Sequence, residues 1–245
     1  MIAESGYPFY GQYIGVLVFN GNSPRVPGDP GHAATFPIPT CYEVVTGTFA
    51  DLLKGSEEIK RKLCDAVKNL ENKGVRAVIG DCGLMALYQQ EMAASSSLPI
   101  LSSALVLVPL LWNLIGRRGT IGIITGHSSL LHDKHLYGAG IGPDIKLEIQ
   151  GMEHEKHFRE IIIDGGLDLN VNLMGKDILA ATAKLLRKNK EVKVILLECS
   201  NLATYSLSLQ EEYKLPVFDI TGAVLMLKHA IHAPRYYDER QDYLA

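Results

Sequence analysis

The feature that most constrains this chain is a gapless internal repeat. Displaced by 117 positions (199 minus 82), Val75-Arg76-Ala77-Val78-Ile79-Gly80-Asp81-Cys82 lies over Val192-Lys193-Val194-Ile195-Leu196-Leu197-Glu198-Cys199. In the same register Ala86 meets Ala203, Tyr88 meets Tyr205, and Leu98-Pro99-Ile100 meets Leu215-Pro216-Val217. A strand, an acidic residue, a cysteine, a helix and the next strand therefore occur twice. One thiol in each copy predicts two thiols facing a single cleft from opposite sides.

The rest of the chain extends the pattern. Thr120-Ile121-Gly122-Ile123-Ile124-Thr125 echoes Tyr13-Ile14-Gly15-Val16-Leu17-Val18 at an offset of 107 (121 minus 14), so ten residues of length difference lie between the matched blocks. Short apolar runs alternate with helical patterns, the signature of a parallel sheet covered by helices. Strands are expected over 13–19, 75–80, 145–149, 193–197 and 216–218. Helices are expected over 56–73, closed by Gly74, and over 177–188 and 221–232. The fold class is α/β: two pseudo-symmetric three-layer lobes with mainly parallel sheets and the active site between them. The lobes are expected over 1–117 plus 220–245 and over 118–219. Residues 20–40, with five prolines, form a long irregular loop, and such loops in compact domains are usually functional or disordered. Asp29 and Thr35 in it are placed to shape a lid, although a loop with no ligand role fits equally well.

Composition narrows the function classes. At 245 residues and 47% hydrophobic content the chain can form a core without disulfides or metals. A formal charge of −3 provides no basic field for nucleic acid and no polybasic patch for a membrane surface. The apolar stretch 98–115 is broken by Pro99, Pro109 and Asn113, so it reads as a short buried strand, a loop and a helix, not a span. Residues 1–10 lack the basic and apolar regions of a secretion signal, and the reducing cytoplasm is the expected location. Four separated cysteines, Cys41, Cys64, Cys82 and Cys199, make neither a zinc site nor a disulfide framework.

In open α/β sheets ligands bind beyond the carboxyl ends of the strands, which is where Cys82 and Cys199 fall. Each is expected to begin a helix whose free N–H groups would favour a bound carboxylate and lower the thiol pKa. A lone cysteine more often serves as a small buried hydrophobe; two at equivalent strand ends, each behind an acid, argue for chemistry. Cys41 and Cys64 lie outside the repeat and are expected to be structural. Ser128 or Ser129 reads as a helix N-cap, His127 as a residue that could touch ligand or equally a solvent-facing loop histidine, and His132, His135, His154 and His157 as surface residues.

Gly80-Asp81-Cys82-Gly83 and Leu197-Glu198-Cys199-Ser200 resemble the strand ends of the aspartate/glutamate racemase superfamily, whose two α/β lobes each present a cysteine to a central cleft. Pro27-Gly28-Asp29 and Gly80-Asp81-Cys82-Gly83-Leu84-Met85 are similar to the branch containing the algal dimethylsulfoniopropionate lyases. The resemblance implies cofactor-independent removal of a proton from the carbon next to a carboxylate, with Cys82 and Cys199 as the catalytic pair. It also implies a small carboxylate substrate, no metal, and a homodimer or larger homo-oligomer. Asp81, Gly83, Leu84, Thr125, Glu198, Ser200 and Asn201 are the candidate substrate-binding residues. Gly83-Leu84 and Ser200-Asn201 depart from the polar residues that follow each cysteine in amino-acid racemases, so those contacts do not carry over. An amino-acid racemase or epimerase is the first expectation and β-elimination the second, with Tyr88 and Tyr205 available to a sulfonium cation, although tyrosines on helices after strands more often fill the interlayer core. A catalytically silent carboxylate-binding protein is the third.

Overall fold

The computed structural model describes residues 6, 7 and 9–234; the charged, aromatic run 234–243, which the sequence offers as a solvated tail or a subunit contact, lies outside them from 235 onward. Two four-stranded sheets form, each wholly parallel. The first contains β1 (Ile14–Phe19), β2 (Thr40–Val45), β3 (Ala77–Gly80) and β4 (Ile100–Leu101) in the order β2-β1-β3-β4. The second contains β5 (Thr120–Thr125), β6 (Leu147–Gly151), β7 (Val192–Leu197) and β8 (Val217–Phe218) in the order β6-β5-β7-β8. Identical strand order in the two sheets is the architectural form of the repeat.

The covering helices are α1 (Phe49–Lys54), α2 (Glu57–Asn72), α3 (Gln89–Ala94), α4 (Val108–Leu114) and α5 (Asp133–Gly138). They continue with the single turn α6 (Lys156–Phe158), α7 (Val171–Lys188), α8 (Ser206–Tyr213) and α9 (Ile220–Ile231). In α2 the Ser56 hydroxyl accepts the Ile59 N–H, and Ile59, Leu63, Val67 and Leu70 bury one face at helical spacing. Gly74, at a φ of 84°, ends the helix in the left-handed region. The shared Ile-Gly dipeptide of β1 and β5 has a packing cause. A Cβ at Gly15 would come within 2.8 Å of Leu70, and one at Gly122 within 2.6 Å of Leu185, so both glycines let a helix lie close on a central strand.

Three sequence expectations change. Residues 40–45 form a strand that the apolar pattern does not signal, because β2 is a half-buried sheet edge. The helix expected from 177 begins at Val171, where the Asn170 side chain accepts two backbone N–H groups. The cysteines are followed first by 3-10 turns, Gly83–Tyr88 and Ser200–Tyr205, and only then by α3 and α8. The stretch 98–115 resolves into β4, a 3-10 turn and the seven-residue α4, and among the described residues no helix is long and apolar enough to cross a membrane.

One hydrophobic core crosses between the sheets. Alternate residues of β7 divide it: Val194 and Leu196 join the cluster of the first sheet, while Ile195 and Leu197 pack under α7 with Ile178 and Leu185. Ile220, Ala223 and Val224 of α9 join the cluster of the first sheet. Because Leu196 is fully buried in that shared core, Leu196→Ala is expected to cost about 2–5 kcal/mol. Urea denaturation followed by fluorescence and by circular dichroism should show one coincident transition; two separated transitions would mean that the lobes unfold independently.

Candidate active site

Cys82 and Cys199 follow β3 and β7, at the point in each sheet where successive connections leave in opposite directions. Both are free thiols, and both line a single cavity of ≈ 470 Å³. The other residues expected there line it too: Asp81, Gly83 and Leu84 from the first lobe, and Thr125, Glu198, Ser200 and Asn201 from the second.

Their roles are more structural than the sequence conveys. Asp81 is 5% exposed; its Oδ1 accepts the Phe19 N–H at 2.9 Å and its Oδ2 accepts Arg25 Nη2 at 2.6 Å. Burial outweighs the guanidinium and holds this carboxyl up at about 6. Glu198 is 4% exposed and accepts the Thr125 hydroxyl at 2.7 Å and the Gly126 N–H. With no cation beside it among the described residues, burial pushes it up to about 7. The Ser200 hydroxyl donates across the lobe junction to the Asp81 carbonyl. Gly83, its counterpart in the repeat, is glycine for a matching reason: a Cβ there would lie 1.9 Å from Glu198 Oε1 and 2.7 Å from the Glu198 carbonyl. The residues after the two cysteines thus differ because they close one pseudo-symmetric junction in two ways.

The thiols depart from expectation. Burial, then the Asp81 and Glu198 carboxylates, push Cys82 up, and burial and Glu198 do the same at Cys199. Backbone N–H groups of Leu84 and Asn201 reach the sulfurs as expected, but burial, reinforced by the neighbouring acids, outweighs them. Both cysteines are therefore protonated at rest, and each would be a strong base once ionised.

The proline-rich loop contributes what sequence reasoning missed. Arg25, the only arginine or lysine among the described lining residues, is clamped by Asp81 and by Asp29 Oδ1 at 2.6 Å. Asp29, 1% exposed, also accepts Asn201 Nδ2 at 2.6 Å, and Thr204 donates to the Pro27 carbonyl at 2.9 Å. The loop is thus strapped from the first lobe onto the second, with Thr35 bracing it through Gly28 and the Asp29 carbonyl. A lone arginine among prolines carries no periodic signal; only the buried acid it answers, Asp81, could have pointed to it.

Other residues are placed by the structure. Tyr88 and Tyr205 lie in the interlayer core, the more usual place for such tyrosines, where the Tyr88 hydroxyl donates to the Leu52 carbonyl and that of Tyr205 has no partner among the described residues. Phe19, Phe49 and Phe158 supply the cavity's aromatic faces instead. Met85 is fully buried behind Leu84. Ser128 does not cap a helix; its hydroxyl donates to Glu153. His127 reaches the cavity. His135 and His157 are buried, not superficial: desolvation depresses His135 to about 4, and His157 Nε2 accepts the Asn170 N–H at 2.9 Å.

Comparison with known proteins agrees with this geometry. No family model matches the chain. It is 28% identical to the dimethylsulfoniopropionate lyase of Durusdinium sp. clade D over 91% of its own length and 76% of that protein's. It is also 28% identical to dimethylsulfoniopropionate lyase 6 of Emiliania huxleyi, over 91% of this chain and 61% of that one. Unliganded arylmalonate decarboxylase superposes with a TM-score of 0.60 at 12% identity, over 88% of this chain and 92% of that one. Aspartate racemase of Picrophilus torridus superposes with 0.58 at 14%, over 90% and 94%. The resemblance carried by the two acid–cysteine strand ends agrees with these findings: the fold is the one shared by arylmalonate decarboxylase and aspartate racemase, and the sequence relatives are dimethylsulfoniopropionate lyases.

The buried acids make stability depend on pH. Glu198 holds its proton to about 7 when folded but to about 4.5 when exposed. Between those values the folded state binds more protons than the unfolded one, so stability falls as pH rises and levels off above about 7. That span corresponds to at most about 3 kcal/mol. Glu198→Gln, which retains an acceptor for Thr125 and Gly126, is expected to flatten the decline in denaturant titrations between pH ~5 and pH ~7. An unchanged slope would show that Glu198 is not the group responsible.

Proposed function

We propose that this chain is a cofactor-independent lyase acting on a sulfonium-bearing propionate, with Cys82 and Cys199 handling the proton. The charge balance of the cavity carries the reading. Its only lysine or arginine among the described residues is already shared by two carboxylates, while Glu198 has no cation beside it. A second substrate carboxylate, as in aspartate or glutamate, would enter beside Asp81 and Glu198 with no free cation to receive it. A methylated sulfonium cation gains from the same acids and from the faces of Phe19, Phe49 and Phe158. The names of the sequence relatives support the same class.

The cation also supplies what the thiols lack. Burial holds both sulfurs protonated, reinforced by Asp81 and Glu198 at Cys82 and by Glu198 at Cys199, and a positive charge entering beside them favours loss of a thiol proton to water. The thiolate then takes the proton on the carbon next to the carboxylate. Those electrons form the carbon–carbon double bond as the bond from the β-carbon to sulfur breaks. Neutral dimethyl sulfide and acrylate leave, and the proton held on cysteine is returned to water.

Amino-acid racemisation is the second reading, favoured by the presence of a thiol on each side of the cavity and by the racemase fold. Incubation with dimethylsulfoniopropionate, and separately with single enantiomers of aspartate, glutamate and monocarboxylic amino acids in deuterated water, distinguishes the two. Acrylate and dimethyl sulfide are expected from the first; α-deuteration with inversion and no acrylate would overturn the lyase reading. Cys82→Ser and Cys199→Ser should each lower turnover by about 10²-fold or more, the range of general acid–base contributions, while Cys41→Ser leaves it near wild type.

A further inference from the structure

The two halves of the site differ in what faces each sulfur. Cys199 Sγ donates to Asn201 Oδ1 at 3.6 Å. That amide can turn only one way, because its Nδ2 donates to Asp29 Oδ2 at 2.6 Å and a carboxylate only accepts. Asp29 is itself fixed by Arg25 and by the Gly31 N–H at 2.7 Å. An amide oxygen held against sulfur favours the S–H form, since the proton it accepts is lost on ionisation.

The corresponding position in the first lobe, 84 (201 minus 117), is Leu84, which has no acceptor to offer. The backbone N–H groups of Leu84 and Asn201 approach their respective sulfurs in the same way, so that contribution is common to both. The charged surroundings differ as well: Asp81 and Glu198 push Cys82 up and Arg25 more weakly draws it down, whereas the charges acting on Cys199, from Glu198, Cys82 and Asp29, all push it up.

We propose that Cys82 is the proton-abstracting thiolate and Cys199 the proton-holding thiol, with Asn201, Asp29 and Arg25 as the positioning residues that impose this order. The assignment rests on the two cysteines being the proton-handling pair, and it makes them inequivalent before substrate arrives. The strap over the cleft then does more than cover it. By holding Asn201 in one orientation and Arg25 beside Asp81, it sets unequal preferences at two sulfurs that the repeat alone would leave alike.

Pulse alkylation with iodoacetamide, read separately at each cysteine by peptide mass spectrometry between about pH 7 and about pH 9, tests it without a turnover assay. In the wild-type protein Cys82 is expected to react at least about tenfold faster than Cys199, the ratio that one unit of pKa difference produces. Asn201→Leu, which gives the second half the side chain of the first, should bring the ratio down several-fold in a protein whose circular dichroism is unchanged. Faster alkylation at Cys199 in the wild type, or an unchanged ratio in the folded variant, overturns the assignment. The wild-type order is read with no substitution at all, so it decides even if the variant does not fold. A reversed order with acrylate release intact would count against this assignment alone. The expected order without acrylate release would count against the lyase reading alone.

Discussion

Two carboxylates buried at the junction of the lobes set the terms for the rest of the site. Asp81 and Glu198 are each almost wholly buried, and an uncompensated buried charge is costly enough that the surrounding chain must supply donors. Asp81 obtains them from the backbone of β1 and from a guanidinium brought in by a long loop. Glu198 obtains them from the end of β5. The absence of a side chain at position 83 follows from the room that Glu198 needs, and the strap follows from Arg25 needing a second anchor at Asp29. Residues that look like substrate contacts on the chain are, in large part, the support that keeps two acids beside two thiols.

How far the sequence reveals this depends on whether a feature repeats locally. The strand–acid–cysteine segments were legible because they occur twice in one register, and α2 because its apolar face recurs at helical spacing with a serine in front. The edge strand β2 was not, since Thr40-Cys41-Tyr42-Glu43 alternates no clear apolar face and follows Pro39. The first turns of α7 were hidden by Asn172 and Gly175, residues of low helix propensity that tertiary packing overrides. Arg25 belongs to a third kind: its meaning lies in a partner 56 residues away. The thiol pKa values were misjudged for a related reason. A helix-start argument counts the nearby N–H groups but cannot see how deeply the acids beside them are buried.

The strap also illustrates why a long proline-rich loop can be an ordered part of a compact molecule. Prolines reduce the conformational freedom that the loop loses on folding, and a few strong contacts at Arg25, Asp29 and Thr204 then suffice to hold it across the cleft. Because those contacts end on Asp81 in one lobe and on Asn201 in the other, the loop connects the two cysteine turns electrostatically as well as mechanically.

Duplication explains the presence of two thiols, and divergence after duplication explains what can be done with them. A symmetric pair suits a reaction that runs in both directions across one carbon, because either thiol must serve as base in turn. An elimination runs one way and needs a single base, so nothing requires the halves to remain alike. The exchange of an apolar side chain at position 84 for an amide at 201, and of a cation beside Cys82 for none beside Cys199, is the kind of asymmetry that a one-way reaction tolerates and an even-handed racemase would resist. The mismatch within the repeat and the anionic, aromatic lining of the cavity both support the proposed elimination.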